Sequence, residues 1–256
     1  MPNESTSLNP TKRFSNRVEN YIKYRPSYPK EVVAFLENNL GLNKQQLVAD
    51  IGSGTGLFAE LLLQKGHEVL CIEPNDEMRK AAENKLVHHK KFSSYGSTAE
   101  ETGLNSHTID LITVATAFHW MEPLATKKEF KRILKPNGHI VLAWNVRKRD
   151  SPFLKEYHSL KQMNSGDRPD SNINEAAIKS FFAPQAAATK SFSDVQLLDF
   201  EGLKGQLLSS SYIPLPGHDS YDDMIEKLVQ LFVKYNESGL VKMEYETKLY
   251  WNVLVQ

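Results

Sequence analysis

A single cysteine, Cys71, in 256 residues rules out an intrachain disulfide and any paired-thiol redox motif. It lies in the apolar run EVLCIEP, where an unpaired thiol behaves as a small buried residue. Net charge is lacking as well: 31 basic residues balance 31 acidic ones, so no overall field draws the protein to nucleic acid or to an anionic membrane. The longest strongly apolar stretch, near DLITVATAF, falls far short of the roughly 20 residues a bilayer span needs. The opening MPNESTSLNP has neither the basic start nor the apolar run of a secretory signal. A cytoplasmic protein with no membrane or nucleic-acid partner is the expectation. The eight histidines are scattered without metal-ligand spacing, so no metal is expected either.

What is present is enough apolar material, 40% of the chain, to bury a substantial core, and one domain over 1–256 is expected. The first dozen residues are polar and should fray. In PKEVVAFLENNL, residues 29–40, the residues Val32, Val33, Phe35, Leu36 and Leu40 fall near one face of a helix that opens at a proline and closes at Gly41. Strand-length apolar runs then alternate with helical segments: LVADI, EVLCIE, KFSSYGS, IDLITVAT and HIVLAWN. Runs apolar throughout and separated by helices predict a parallel sheet covered on both faces, a doubly wound α/β domain over the first 145 residues. Beyond Asn145, SPFLKEYHSLKQM and NEAAIKSFFAP read as helices and SFSDVQLLDFEGL as a strand. YDDMIEKLVQLFVKYNESG reads as an amphipathic helix ended by Gly239, and VKMEYETKLYWNVLVQ as an edge strand. This last third should complete the sheet and add a helical lid.

The stretch VADIGSGTGLF sets Gly52, Gly54 and Gly56 directly after an apolar run, where ligands sit in open α/β sheets. Leu57 stands where a dinucleotide fingerprint needs its third glycine, and no Lys-Ser/Thr of a phosphate-binding P-loop follows. The remaining candidate ligand lays an amino-acid or ribose portion against bare backbone, with Asp50 at the strand end free to accept hydrogen bonds. Glu73, 21 residues after Gly52 and closing the second strand, can accept both hydroxyls of a ribose; capping the next helix is its alternative use.

Five segments, VADIGSGTG, GHEVLCIEPNDEM, GSTAEETGL, IDLITVATAFHWM and RILKPNGHIVLAWN, resemble in order and spacing the class I S-adenosylmethionine-dependent methyltransferases. The upstream FSNRVENYIKYRPSYP is similar to the leading segment of the trans-aconitate methyltransferase-like small-molecule subgroup, and the resemblance covers roughly residues 14–146. It implies a Rossmann-like, mostly parallel seven-stranded sheet with an N-terminal helical cap. Residues 14–146 would bind the cofactor, and 147–256 would supply sheet-completing strands and a substrate-side helical insertion. It implies S-adenosyl-L-methionine as cofactor, with Asp50, Gly52 and Gly54, in the turn completed by Gly56, at its methionine end and Glu73 at its ribose. Ala99 and Glu100 correspond to the adenine-binding stretch, and the carbonyls around Ala115 and Thr116 would face the methionine part. Phe118, His119 and Trp120 would line the passage to the substrate, while Tyr24 and Arg25 would close over the cofactor. The implied reaction is in-line methyl transfer to a small molecule, with a carboxylate or hydroxyl as the favoured acceptor.

The residues themselves add chemistry to this. Aromatic faces attract a sulfonium cation, which suits Tyr21, Tyr24, Tyr28 and Trp120, although such residues also build cores. His119 is the best placed base for a hydroxyl or amine acceptor, a carboxylate acceptor needs none, and the imidazole has a packing role as its alternative. In the run VRKRD, the charged residues Arg147 to Asp150 either receive an acidic substrate or form a solvated face. Two other functions remain open on these residues: a non-catalytic binder of S-adenosylmethionine or its demethylated product, and a nicotinamide-dependent oxidoreductase, which Leu57 opposes.

Overall fold

In the apolar runs, side chains divide by parity between two cores. On one side lie Val48, Val141 and Ala143; on the other lie Ala49, Ile51, Ile140, Leu142 and Trp144. Such alternation of wholly apolar strands requires cover on both faces. The structure, a computed structural model, describes residues 18–165, 173–210 and 212–254, so the polar start lies outside the described residues.

The elements in chain order are α1 (Val18–Tyr24), α2 (Glu31–Leu40), β1 (Leu47–Ile51), α3 (Leu57–Gln64), β2 (Glu68–Ile72), α4 (Asp76–Leu86), β3 (Phe92–Tyr95) and β4 (Ile109–Ala115). A 3-10 turn (Phe118–Trp120) leads to α5 (Pro123–Ile133), β5 (Leu134–Arg147), α6 (Pro152–Ser165), α7 (Glu175–Phe182), β6 (Ala188–Leu198), α8 (Phe200–Leu208), α9 (Tyr221–Tyr235) and β7 (Val241–Val253). The seven strands form one sheet in the order β3-β2-β1-β4-β5-β7-β6. Strands β1 to β5 pair in parallel, and β7 runs antiparallel to both neighbours. Val32, Leu36, Phe58, Leu62 and Leu86 of α2, α3 and α4 close one face; Phe130, Ile133, Phe181 and Phe182 of α5 and α7 close the other. Cys71 is buried in the first of these cores, as its apolar run implied.

From β1 the chain winds outward through β2 and β3, then returns to β4 on the opposite side of β1. The connections leaving β1 and β4 diverge there, which opens a crevice at their carboxyl ends. A third core lies beyond the sheet, where Leu154 and Tyr157 of α6, Leu203 of α8, Leu228 of α9 and Met243 of β7 meet. Strand β7 thus serves all three cores, its first half this one and Leu249 and Tyr250 the two faces of the sheet.

Three expectations change. The final strand β7 is interior, paired along both sides, and β6 forms the edge. Alternation reports which face is buried and says nothing about which backbone edge is paired. The segment DFEGL is the start of α8 instead of a strand continuation: Asp199 caps the helix, its Oδ1 accepting from the Gly202 amide at 2.7 Å. Gly202 and Gly205 lower helix propensity and conceal it in the sequence. Helix α9 ends at Tyr235, and Gly239, with φ of 81°, serves the turn into β7.

Because Leu249 is fully buried at the centre of a doubly paired strand, Leu249→Ala should cost about 2–5 kcal/mol in urea unfolding. A loss under about 1 kcal/mol would contradict its interior position.

Candidate cofactor site

The turn after β1 holds three glycines with positive φ, 67° at Gly52, 56° at Gly54 and 77° at Gly56, a region costly for residues with a Cβ. Each serves a different contact. A Cβ on Gly52 would stand 2.6 Å from that of Ala117, and one on Gly56 would stand 2.6 Å from Leu86 Cδ1, so Gly56 lets the start of α3 close against α4. At Gly54 a Cβ would meet nothing within 4 Å: its bare side faces open space. The Gly52 and Ser53 amides donate to the Ile72 carbonyl at 2.8 and 3.1 Å, pinning the turn to the end of β2.

One residue further along that chain, Glu73 completes the pinning. Its Oε2 accepts from the Gly54 amide and its Oε1 from the Asn75 amide, both at 2.8 Å, and only 8% of the residue is exposed. Burial pushes its carboxyl above the ordinary range, while the two amides and the Arg79 charge oppose the rise. Each carboxylate oxygen has a lone pair left after these bonds. Asn75, the helix cap, takes the Met78 amide at 2.9 Å, so capping falls to Asn75 and leaves Glu73 at the crevice.

Around this turn lies a cleft of about 280 Å³, near the lower bound of small-ligand sites (~300 Å³). The fold brings Arg25, Gly52, Gly54, Glu73, Ala99, Glu100, Ala115, Thr116 and Trp120 together along its wall. Tyr28 joins them, its hydroxyl 2.9 Å from Thr116 Oγ1 and its ring edge-on to Phe58 at 5.0 Å. Thr116 has φ of 56°, unusual for a β-branched residue, and its amide donates to the Ala143 carbonyl at 2.7 Å. Thr55 also lines the cleft, with its buried hydroxyl oxygen lacking a partner. Bare backbone at Gly54, an unmatched hydroxyl and a fixed carboxylate fit a nucleoside joined to an amino acid.

Five of the residues expected at the cofactor or substrate sit elsewhere: Phe118, expected along the substrate passage, is buried in the sheet core against Phe181, and four others are displaced as well. Asp50 is fully buried behind the turn, its Oδ1 accepting from Thr113 Oγ1 at 2.7 Å and so joining β1 to β4. Its position within the strand points it into the packing between elements, and burial raises its pKa to about 7. Tyr24 lays its ring against Gly205 of α8, so close that a Cβ there would come within 2.0 Å of Cδ2. Gly56 serves the Leu86 contact, and the half-buried His119 lies outside the cleft wall with its ring 4.8 Å from that of Trp120. Burial lowers the His119 pKa to about 4, so the imidazole is neutral at pH 7. The side chain of Tyr21 lies outside the described residues.

Sequence reasoning passed over Met78, Met121 and Asn145, which share the wall. Asn145 carried a signal, being the first polar residue after the apolar run of β5; its Nδ2 donates to the Ser27 carbonyl at 2.8 Å, and its Oδ1 accepts from Thr247. The methionines carried none.

Two outcomes follow from this geometry. Asp50 holds its proton in the folded state up to about pH 7, whereas unfolded it releases it near 3.8, so the fold loses stability as pH rises through that window. Asp50→Asn should flatten the fall in unfolding free energy between pH 5 and 8, by on the order of 2 kcal/mol, in urea titrations at both values. Gly54→Ala should weaken binding of S-adenosylhomocysteine by calorimetry more than it lowers stability, whereas Gly56→Ala should act chiefly on stability, costing about 1–3 kcal/mol.

Comparison with known proteins agrees with this arrangement. Residues 49–142 match the model of the family described as methyltransferase domain. An uncharacterized methyltransferase of Mycobacterium tuberculosis is 32% identical over 143 residues, 56% of this chain and 56% of that protein. The chain therefore spans little more than half the length of the mycobacterial relative. A malonyl-[acyl-carrier protein] O-methyltransferase of Marinomonas sp. is 30% identical over 139 residues, 52% of this chain and 50% of that one. In fold, a protein of Anaeromyxobacter dehalogenans described as a type II methyltransferase superimposes with a TM-score of 0.69 at 16% identity, over 91% of this chain and 99% of that chain. The glycine turn and the acid at the end of β2 thus lie within residues 49–142, the part of the chain that is similar to the methyltransferase domain family.

Proposed function

We propose that the protein transfers the methyl group of S-adenosylmethionine to an oxygen of a small acceptor, a carboxylate or a hydroxyl. The observation that carries this is the pairing of Gly54, open on its bare side, with a Glu73 carboxylate fixed by two amides at the same cleft. In this reading the Glu73 lone pairs take both ribose hydroxyls, and the amino-acid end lies along Gly52 and Gly54. Ala99 and Glu100 border the base, and Tyr28 and Trp120 offer aromatic faces to the cation. When bound, the cofactor supplies a methyl group on a positively charged sulfur, already activated for displacement. The chain's own residues then position and exclude water, and orientation alone can lower such a barrier by about 7–11 kcal/mol.

In this reading an anionic acceptor would be met by Arg147, which lies beyond the cleft wall. Arg147 stands two residues beyond Asn145 on the same side of β5, with its guanidinium 4.8 Å from the ring centre of Tyr157 and 6.0 Å from that of Tyr245. A carboxylate needs no proton removed, consistent with a His119 whose basicity burial has lowered. The O-methylation named for the Marinomonas relative supports an oxygen acceptor. Balanced charge speaks for a small molecule over nucleic acid, and no helix among the described residues is long and apolar enough to cross a membrane.

Thermal melting tests the cofactor: S-adenosylhomocysteine at about 100 times its dissociation constant should stabilise the protein by about 2.7 kcal/mol, and NAD should not. Glu73→Ala should abolish that shift, and retention of it would overturn the role given to Glu73. Once an acceptor is found by labelled methyl transfer, kcat/KM should show no ionisation from His119 between about pH 5 and 8. An inflection removed by His119→Gln would instead make it a base.

A further inference from the structure

Strand β6 ends the sheet with an uninterrupted ladder to β7 from Ala188 to Leu198, and among the described residues nothing pairs with its outer side. Natural edges of this length are ordinarily blunted by proline, a bulge or charged side chains, and β6 carries two of the last, Lys190 and Asp194. Here the eleven residues, ATKSFSDVQLL, contain no proline and no register shift, and they expose Val195 at 45% and Leu197 at 60%. The Val195 amide takes its hydrogen bond from its neighbour, donating to Asp194 Oδ1 at 2.8 Å, which marks it as facing away from β7. By the alternation of an antiparallel ladder, the amides of Ser191, Ser193 and Leu197 face outward with it.

We propose that β6 is a dimerisation edge, at which a second copy of this chain pairs antiparallel about a two-fold axis through Phe192 and joins the two sheets. The sequence is self-complementary in that register. Ser191 falls opposite Ser193 of the other copy and Thr189 opposite Val195, all with outward amides, as hydrogen-bonded pairs must be. Lys190 falls opposite Asp194 in a non-hydrogen-bonded pair, the kind with the closer side chains, so each interface carries two opposite-charge pairs. In the isolated chain Asp194 shields the Val195 amide; on pairing, that amide meets the Thr189 carbonyl, and the carboxylate is released to Lys190. Val195 and Leu197 lose exposure beside Thr189 and Ala187 of the other copy. A closed two-fold contact of this kind uses up the β6 edge and leaves β3 as the edge at each end of the joined sheet.

Sedimentation velocity over a dilution series tests this on the full chain. A monomer–dimer equilibrium is expected, and a protein monomeric throughout overturns the proposal. Lys190→Glu should raise the dissociation constant by roughly tenfold, since two attractions become two repulsions, and Asp194→Lys should act alike. The Lys190→Asp, Asp194→Lys double variant should restore dimerisation, a rescue that generic misfolding cannot produce. Ser193→Pro removes an outward amide at a position where an edge strand tolerates proline, and it should give a monomer with unaltered melting response to S-adenosylhomocysteine. Dimers that withstand both the charge reversals and the proline place the interface elsewhere and overturn the proposal.

Discussion

The hydrogen bond from the Gly54 amide to the Glu73 carboxylate joins the turn after β1 to the end of β2, and the rest of the site is arranged around it. A buried carboxylate is costly unless its oxygens are matched, and here the Gly54 and Asn75 amides match one lone pair on each oxygen while the rest stay at the cleft. The Gly54 bond, together with those from the Gly52 and Ser53 amides to the Ile72 carbonyl, fixes the glycine turn, so the acid that gives the site its polarity also helps set its shape. Asn75 takes over the capping of α4, which leaves Glu73 at the cleft.

Around that constraint the three cores divide the labour. The two that sandwich the sheet hold β1 and β4 side by side, with Asp50 and Thr113 bonded between them at a depth the cleft does not reach. The third carries α6, α8 and α9 beyond the sheet, and β7 ties it to the first two. The N-terminal segment is fastened to this third unit: Tyr24 seats on Gly205, and Gln196 Nε2 donates to the Tyr24 carbonyl at 3.3 Å. Arg25 and Tyr28 reach the cleft because Tyr24 is held away from it. Tyr28 meets Thr116 across the crevice and so links that segment to the end of β4.

The parts of the fold legible in the sequence were those with a period or a cap. Apolar runs such as LVADI and HIVLAWN announced β1 and β5, and alternating apolar strands and helices announced the parallel sheet. Helix α8 was not legible, because Gly202 and Gly205 mimic a loop until Tyr24 is seen to occupy the space a larger side chain would fill. At the site, the positions of Gly52, Gly54 and Glu73 followed from where a strand ends. Those of Tyr24, Asp50 and His119 did not, since a side chain's direction at a strand end or in a 3-10 turn depends on which neighbours close around it.

The sequence by itself determined the sheet's character, the glycine turn and the acid at the end of β2, because hydrophobic period and backbone freedom are local properties of the chain. Only the tertiary structure decided that β7 is enclosed and β6 is the free edge, and that Asp50 is a buried tie with its proton held to about pH 7. Pairing order and desolvation are set by what lies across space, and neither leaves a mark in the order of residues along the chain.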